Sequence, residues 1–361
     1  MSPGRSTVAI ALILVASILL KLAFIWYLGD RAYPDVFRAI NFGYRLHQDI
    51  FSIDTEIINS KTFVGPILWF YLYQSFGMLG LKLLNMFVFV LLFFTQYALG
   101  KGRYGRSTIV FALFLFAFYV GTNRNVVAGE SDDNIAALCF SLGLLVYLNT
   151  GRLFSSSLLM GMGFLFKFWV AVFCVGFAFY LLSKMRLRDL CLVGLGMSLP
   201  FLLINGIDGF ASMRALLKSV GLQHRYSDWG EVGFKMLSTG MTFSVIASAW
   251  MWLKRRSDPN TLFFLVSSTY FVYVVLNRDA FAASFVMMQC LMFSSFLIAE
   301  LALTAQSLRN ARWRAVALML SCAIYLVITS AITYQHLYRD TAADPRRNSV
   351  EDRKDVWHQR L

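Results

Sequence analysis

The acidic residues that follow the first apolar run are the first candidates for chemistry. The stretch "AYPDVFRAIN", residues 32–41, places Asp35 directly behind Pro34, and Asp30 lies just before it. Apolar residues then recur at helical spacing, at Val36, Phe37, Ile40 and Tyr44. This pattern predicts a short amphipathic helix at the membrane interface that begins at Pro34. Asp35 would then sit at a fixed depth near the lipid headgroups; alternatively, it simply complements the helix dipole.

A second acidic group lies in the segment "TNRNVVAGESDDNIAAL". Glu130, Asp132 and Asp133 lead directly into an apolar run. Their carboxylates could bind sugar hydroxyls or ligate a divalent cation, since hard cations take oxygen ligands. Alternatively, the segment caps the following helix and places acids at its positive end.

Two cations are candidates for holding a phosphate. Lys167 lies within "GFLFKFWV" and Arg278 within "LNRDAFAAS". An ionisable residue at membrane depth is costly and is therefore a functional candidate, although a lysine near a helix end can also snorkel to the headgroups. The alternative for Arg278 is an ordinary salt bridge with Asp279.

The segment "LQHRYSDWGEVGF" contains His224 and Trp229, which offer hydrogen-bonding and stacking groups of the kind that line sugar sites. The alternative is a solvated outer loop. No P-loop, nucleophile elbow or HExxH pattern is present, so any chemistry belongs to acids and bases.

The elements that must position these residues are membrane helices. The chain has 361 residues, of which 58% are hydrophobic and 15% charged, whereas soluble domains average about one quarter charged. The net charge of +13 is distributed in small basic clusters between apolar runs. This distribution indicates how the chain crosses the membrane and does not indicate nucleic-acid binding. Short Lys- and Arg-rich loops stay on the cytoplasmic side, where anionic lipid headgroups are their expected partners.

Placing every basic cluster on the cytoplasmic side predicts an all-α polytopic transmembrane bundle of about eleven spans, within a range of about ten to thirteen. The amino terminus is then cytoplasmic. The predicted spans lie near 8–28, 82–100, 107–121, 134–149, 153–166, 168–183, 189–204, 234–253, 261–276, 281–303 and 315–334. The outer loops are then 29–62, 122–133, 205–233 and 277–280, which contain the candidate acids.

One apolar segment, 63–79, "FVGPILWFYLYQSFGML", has to stay out of this count. If it crossed the membrane, every later basic cluster would lie on the outer side instead of the cytoplasmic side. We therefore expect an interfacial or half-inserted helix. Residues 1–338 are expected to form one transmembrane domain and residues 339–361 a charged tail.

The order of these features resembles the GT-C superfamily of membrane glycosyltransferases. In pattern it is closest to the polyprenol-phosphate-mannose-dependent mannosyltransferase family. The resemblance rests on "PDVFRAINFGYRLHQDIFSID" in the first outer loop, "FVGPILWFYLY", "GESDDN" before a span and "GMGFLFKF" ending in lysine. It covers roughly residues 8–185. Glu130 stands where glutamine is usual, and Gly65-Pro66 replaces a more typical tyrosine-proline pair.

This resemblance implies roles for the candidate residues. Asp35 takes the position of the catalytic general base, with Asp30 as the alternative. Lys167 and Arg278 would bind the donor phosphate. Glu130, Asp132, Asp133, His224 and Trp229 would bind acceptor or sugar.

The resemblance therefore implies an inverting glycosyltransferase of a bacterial inner membrane. It would move a hexose or pentose from a polyprenyl-phosphate donor to a lipid, glycan or protein acceptor on the outer face. No cofactor is required, although a divalent metal is compatible with the acids. The rival class is a transporter or lipid-linked sugar flippase, in which Lys21, Lys167 and Glu300 would line a path.

Overall fold

The computed structural model describes residues 3–48, 62–128, 131–184, 187–207, 209, 213–214, 228–278, 287–305 and 311–340. Within these ranges the chain is helical and contains no strand. The helices are α1 (Pro3–Leu28), α2 (Pro34–Gln48), α3 (Val64–Gly100), α4 (Arg106–Phe118), α5 (Val120–Val127), α6 (Ser131–Thr150), α7 (Leu153–Phe166), α8 (Val170–Ser183), α9 (Leu187–Ile207), α10 (Trp229–Ser238), α11 (Met241–Lys254), α12 (Asp258–Asn277), α13 (Met287–Ala305) and α14 (Ala311–Asp340). The predicted all-α polytopic fold is confirmed.

The apolar helices correspond one by one to the predicted spans. Five helices of the described chain, α1, α3, α6, α9 and α12, are long and apolar enough to cross a membrane, and the count rises to seven if each bent pair is one span. The bent pairs are α4 with α5 and α10 with α11, with bends of 52° and 67°. The four remaining predicted spans match shorter apolar helices within α7, α8, α13 and α14. That these four also cross stays a prediction.

The segment predicted to stay out of the membrane forms the first part of α3. This helix has 37 residues, which at about 1.5 Å per residue is far longer than a bilayer core of about 30 Å. Gly77 interrupts it with φ 61° and ψ −164°, so two helices meet at a kink. The break falls near the predicted end of the interfacial segment, and the residues after it suffice for one crossing.

Among the described residues, the basic clusters around Arg103, Lys184 and Arg255 gather at one end of the bundle, here called the basic end. Arg103 donates a hydrogen bond of 2.7 Å to Asn149. Lys184 pairs with Asp258, and Arg255 with Glu300 at 3.2 Å. These contacts join segments that are distant in sequence. The basic residues therefore lie at the same end of the bundle, as the positive-inside rule predicts for loops on one side of a membrane. The cytoplasmic assignment of that side stays a prediction.

Helix α2 packs on the first part of α3, as its amphipathic pattern predicted. Val36, Phe37 and Ile40 are buried together with Trp69 and Leu81. The two backbones approach closely at a glycine, because a Cβ at Gly43 would lie 2.0 Å from the carbonyl oxygen of Pro66. This packing fixes the start of α2 relative to α3. The tail from 341 onward lies outside the described residues.

We expect Gly43→Ala to destabilise the protein by about 1–3 kcal/mol, because the new methyl group forces α2 away from α3. Gly194→Ala in α9 is the matched control, since a Cβ there meets nothing within 4 Å. Thermal unfolding of both variants in detergent checks this, and equal melting temperatures would contradict the close packing.

Candidate active site at the end opposite the basic loops

The connection between α1 and α2 is anchored by a lysine of α3. The ammonium group of Lys82 donates a hydrogen bond of 2.5 Å to the carbonyl oxygen of Gly29, where α1 ends in a left-handed conformation with φ +54°. Lys82 is 2% exposed, and it is close enough to Asp30 for their opposite charges to interact. Asp30 itself is exposed. The lysine therefore positions the turn that leads to Asp35.

Asp35 is the second residue of α2, and its side chain lies outside the described part of the structure. The backbone N–H of Tyr33 donates a hydrogen bond of 3.0 Å to the carbonyl oxygen of Ala128, just after α5. The predicted catalytic position thus lies where the start of α2 meets the end of α5.

Helix α5 reaches this point because the chain bends sharply after α4. The bend leaves carbonyl groups at the end of α4 without their usual helical partners. Tyr325 donates its hydroxyl to the oxygen of Leu115 at 2.9 Å, and Lys21 donates to the oxygen of Ala117 at 2.8 Å. The amide of Asn123 donates to the oxygen of Phe118 at 3.4 Å. Side chains of α14, α1 and α5 therefore stabilise the bend.

The bend places Arg124 beside the start of α2. Arg124 is 8% exposed, and its guanidinium lies 5.8 Å from the centre of the Tyr33 ring, within cation–π range. Two further polar residues connect α3 and α6: the side-chain amide of Asn134 donates a hydrogen bond of 3.0 Å to the amide oxygen of Asn85. We did not predict roles for Arg124, Lys82 or this asparagine pair from the sequence. An arginine next to acids in an outer loop, and a lysine at the edge of an apolar run, were the available signals.

Asp132 and Asp133 lie in the first turn of α6, where the helix-cap alternative placed them. The indole N–H of Trp69 donates to Asp132 at 2.7 Å, and that of Trp169 donates to Asp133 at 2.7 Å. Both acids are buried, at 0% and 7% exposure. Each carboxylate thus has an indole donor as well as the positive end of a helix.

Lys167 lies next to the second of these acids, Asp133. Lys167 directly follows the end of α7 and has an extended backbone conformation. Its ammonium group lies 3.8 Å from a carboxylate oxygen of Asp133. The side chains of Lys167 and Asp133 are 13% and 10% exposed. The structure therefore brings together a predicted phosphate-binding cation and a predicted sugar-binding acid as an ion pair.

Arg278 and Trp229 form a second group. The guanidinium of Arg278 lies 4.8 Å from the centre of the Trp229 ring. Arg278 follows α12 with φ 48°, Trp229 begins α10, and both are exposed. These residues belong to helices other than those that carry Asp30, Asp133 and Lys167. Their binding roles stay predictions.

Glu130, His224 and Asp279 lie outside the described residues, so the proposed roles of Glu130 and His224 and the alternative ion pair of Arg278 stay predictions. In the described ranges no three His, Cys, Asp or Glu residues are grouped as metal ligands would be. Because Glu130 falls beyond these ranges, the metal hypothesis for segment 130–133 also stays a prediction.

The overall fold of the chain is similar to that of solved structures. The apo crystal structure of the Archaeoglobus fulgidus oligosaccharyltransferase matches with a TM-score of 0.56 and 13% identity, over 96% of this chain and 59% of that chain. The archaeal oligosaccharyltransferase AglB from the same organism, in complex with an inhibitory peptide and a dolichol-phosphate, matches with a TM-score of 0.55 and 13% identity, over 92% of this chain and 56% of that chain.

The chain thus spans somewhat more than half the length of these neighbours, and at this identity the similarity shows the fold alone. No family model and no curated protein matches the chain. The GT-C-like membrane fold that the sequence motifs implied is supported. The closer resemblance to the mannosyltransferase family stays a prediction.

We expect Trp69→Phe to destabilise the protein by about 2 kcal/mol, because buried Asp132 loses a charge-assisted hydrogen bond. Trp26→Phe is the matched control, since Trp26 is 86% exposed. Thermal unfolding in detergent compares the two, and a Trp69→Phe variant as stable as the control would show that the indole does not stabilise Asp132.

Proposed function

We propose that the chain is a membrane glycosyltransferase that transfers a sugar from a polyprenyl-phosphate donor to a lipid, glycan or protein acceptor. The observation that carries this proposal is the cluster of acids and cations at one end of a GT-C-like bundle. Asp30, Lys82, Arg124, Asp133 and Lys167 belong to this cluster. The dolichol-phosphate bound to the structurally similar AglB supports a lipid phosphate as the donor class.

In this proposal Asp35 is the general base. Its carboxylate takes the proton of an acceptor hydroxyl while that oxygen attacks the anomeric carbon. The bond between the anomeric carbon and the phosphate oxygen breaks at the same time, and polyprenyl phosphate leaves with the bonding electrons. Attack opposite the leaving group inverts the anomeric centre. Asp30, exposed beside Lys82, is the alternative base.

Fixed cations would stabilise the charge that develops on the leaving phosphate. Lys167 and Arg278 were the predicted residues, and the geometry adds Arg124, which lies beside the start of α2. Lys167 pairs with Asp133 at 3.8 Å. Because Arg124 lies beside the start of α2, it is the cation that we propose for the phosphate of a donor bound next to Asp35.

The finer assignments belong to the same proposal. The acceptor side faces the outside of a bacterial inner membrane, and the basic end faces the cytoplasm, as short Lys- and Arg-rich loops favour. The donated sugar is a hexose or pentose, and the residues proposed to bind acceptor or sugar are Glu130, Asp132, Asp133, His224 and Trp229. Transfer needs no cofactor.

The contacts of Lys21, Lys167 and Glu300 weigh against a transporter. Lys21 bonds to the backbone of α4 and lies 4.1 Å from the centre of the Phe89 ring. Lys167 pairs with Asp133, and Glu300 pairs with Arg255 at the basic end. These charges occupy three different helix interfaces, whereas a transport path would require them to face one common cavity.

We expect Asp35→Asn to lower the rate of sugar transfer by about 10²–10⁴-fold, because the amide cannot accept the proton. The assay measures transfer of radiolabelled sugar from polyprenyl phosphate in proteoliposomes. Asp258→Asn is the matched control, since Asp258 is an exposed acid paired with Lys184 at the basic end.

The control should transfer sugar at the rate of the unaltered protein. If Asp35→Asn and the control are equally active, Asp35 is not the base, and the same experiment with Asp30→Asn decides whether the alternative base acts. If no polyprenyl-phosphate sugar supports transfer by the unaltered protein, the proposed function itself is contradicted.

A further inference from the structure

An apolar groove lies between α4, α11, α13 and α14, outside the acid and cation cluster. It encloses a volume of about 560 Å³ and is lined almost entirely by apolar side chains. Its lining includes Tyr119, Thr239, Phe243, Ala247, Trp250 and Tyr325.

One face of α11 forms the length of this groove. Phe243, Ala247 and Trp250 line it, and with Lys254 they follow the spacing i, i+4, i+7 and i+11, which is a single stripe on a helix. Phe243 and Trp250 are 66% and 61% exposed. In a membrane helix such side chains face lipid chains rather than water.

The two ends of the groove differ in chemistry. At one end the hydroxyl of Tyr119 donates a hydrogen bond of 3.0 Å to the carbonyl oxygen of Thr239, so the bends of the two helix pairs meet there. At the other end Lys254 is the last residue of α11 and is exposed. Arg255 and Arg256 follow it directly.

We propose that this groove is a binding site for an anionic phospholipid, with its acyl chain along the α11 stripe and its phosphate at Lys254. The apolar lining fits a hydrocarbon chain. A tryptophan one turn before a terminal lysine is the usual marker of the headgroup level. Arg255 is paired with Glu300, whereas the exposed Lys254 and Arg256 complement an anionic headgroup.

This site is separate from the proposed transfer site and does not depend on it. The donor phosphate of the proposed function would lie near Arg124, whereas Lys254 lies at the basic end, next to the Arg255–Glu300 pair. A lipid in the groove would also cover Tyr119 and Tyr325, whose hydrogen bonds stabilise the two bends. We therefore expect the bound lipid to raise the thermal stability of the protein.

Delipidated full-length protein in detergent tests the site, with phosphatidylglycerol and phosphatidylcholine of identical chains as probes. Native mass spectrometry gives the affinity, and thermal unfolding gives the stabilisation. We expect phosphatidylglycerol to bind more tightly than phosphatidylcholine. Lys254→Gln should weaken phosphatidylglycerol about fivefold, which corresponds to the ~1 kcal/mol that one basic residue contributes at an anionic surface. Lys254→Arg should retain the affinity.

Two further variants distinguish the contribution of the Lys254 charge to lipid affinity from the contribution of the apolar groove. Ala247→Trp fills the stripe and should weaken both lipids, while Arg188→Gln, an exposed cation of α9, should change neither affinity. Equal binding of the two lipids, or equal effects of Lys254→Gln and Arg188→Gln, would each overturn the proposal. Lys254→Gln alters only an exposed side chain, so it decides the matter even if Ala247→Trp fails to fold.

Discussion

The bend between α4 and α5 depends on one constraint, that backbone polar groups within a membrane must find partners inside the protein. Leu115, Ala117 and Phe118 would each leave a carbonyl oxygen unsatisfied at this bend, and three side chains from α14, α1 and α5 donate to them. Lys21 is the most costly of these donors, since it is a fully buried ammonium. Its side chain contacts the carboxyl-terminal end of α4, where the helix dipole favours a cation.

The same constraint explains why polar residues collect where helices are interrupted. Lys167 lies between α7 and α8, and Lys82 bonds to the end of α1 at Gly29. Asp132 and Asp133 lie at the positive end of α6 with their indole donors. Each interruption exposes backbone dipoles, which orient charged side chains at a fixed depth. A fold made of such broken helices thus provides the acids and cations that a transfer site requires.

Hydropathy and charge distribution predicted the helical architecture well, because spans and basic loops are local properties of the sequence. The amphipathic helix that begins at Pro34 and the break near residue 79 were predicted for the same reason. The partners within the site were not predicted. The hydrogen bond from Trp69 to Asp132 joins residues 63 positions apart, and that from Tyr325 to Leu115 joins residues 210 positions apart. Such pairing follows from packing, and no periodicity in one sequence indicates it. Arg124 was overlooked because only the bend of α5 makes it a neighbour of Tyr33.

The most direct test of the central claim is an electron cryomicroscopy structure of the protein with a bound polyprenyl-phosphate sugar analogue that cannot be transferred. The account predicts that the phosphate contacts Arg124 and that the anomeric carbon faces Asp35 at the start of α2. A phosphate bound among the loops of the basic end would contradict the assignment of the transfer site to the opposite end of the bundle.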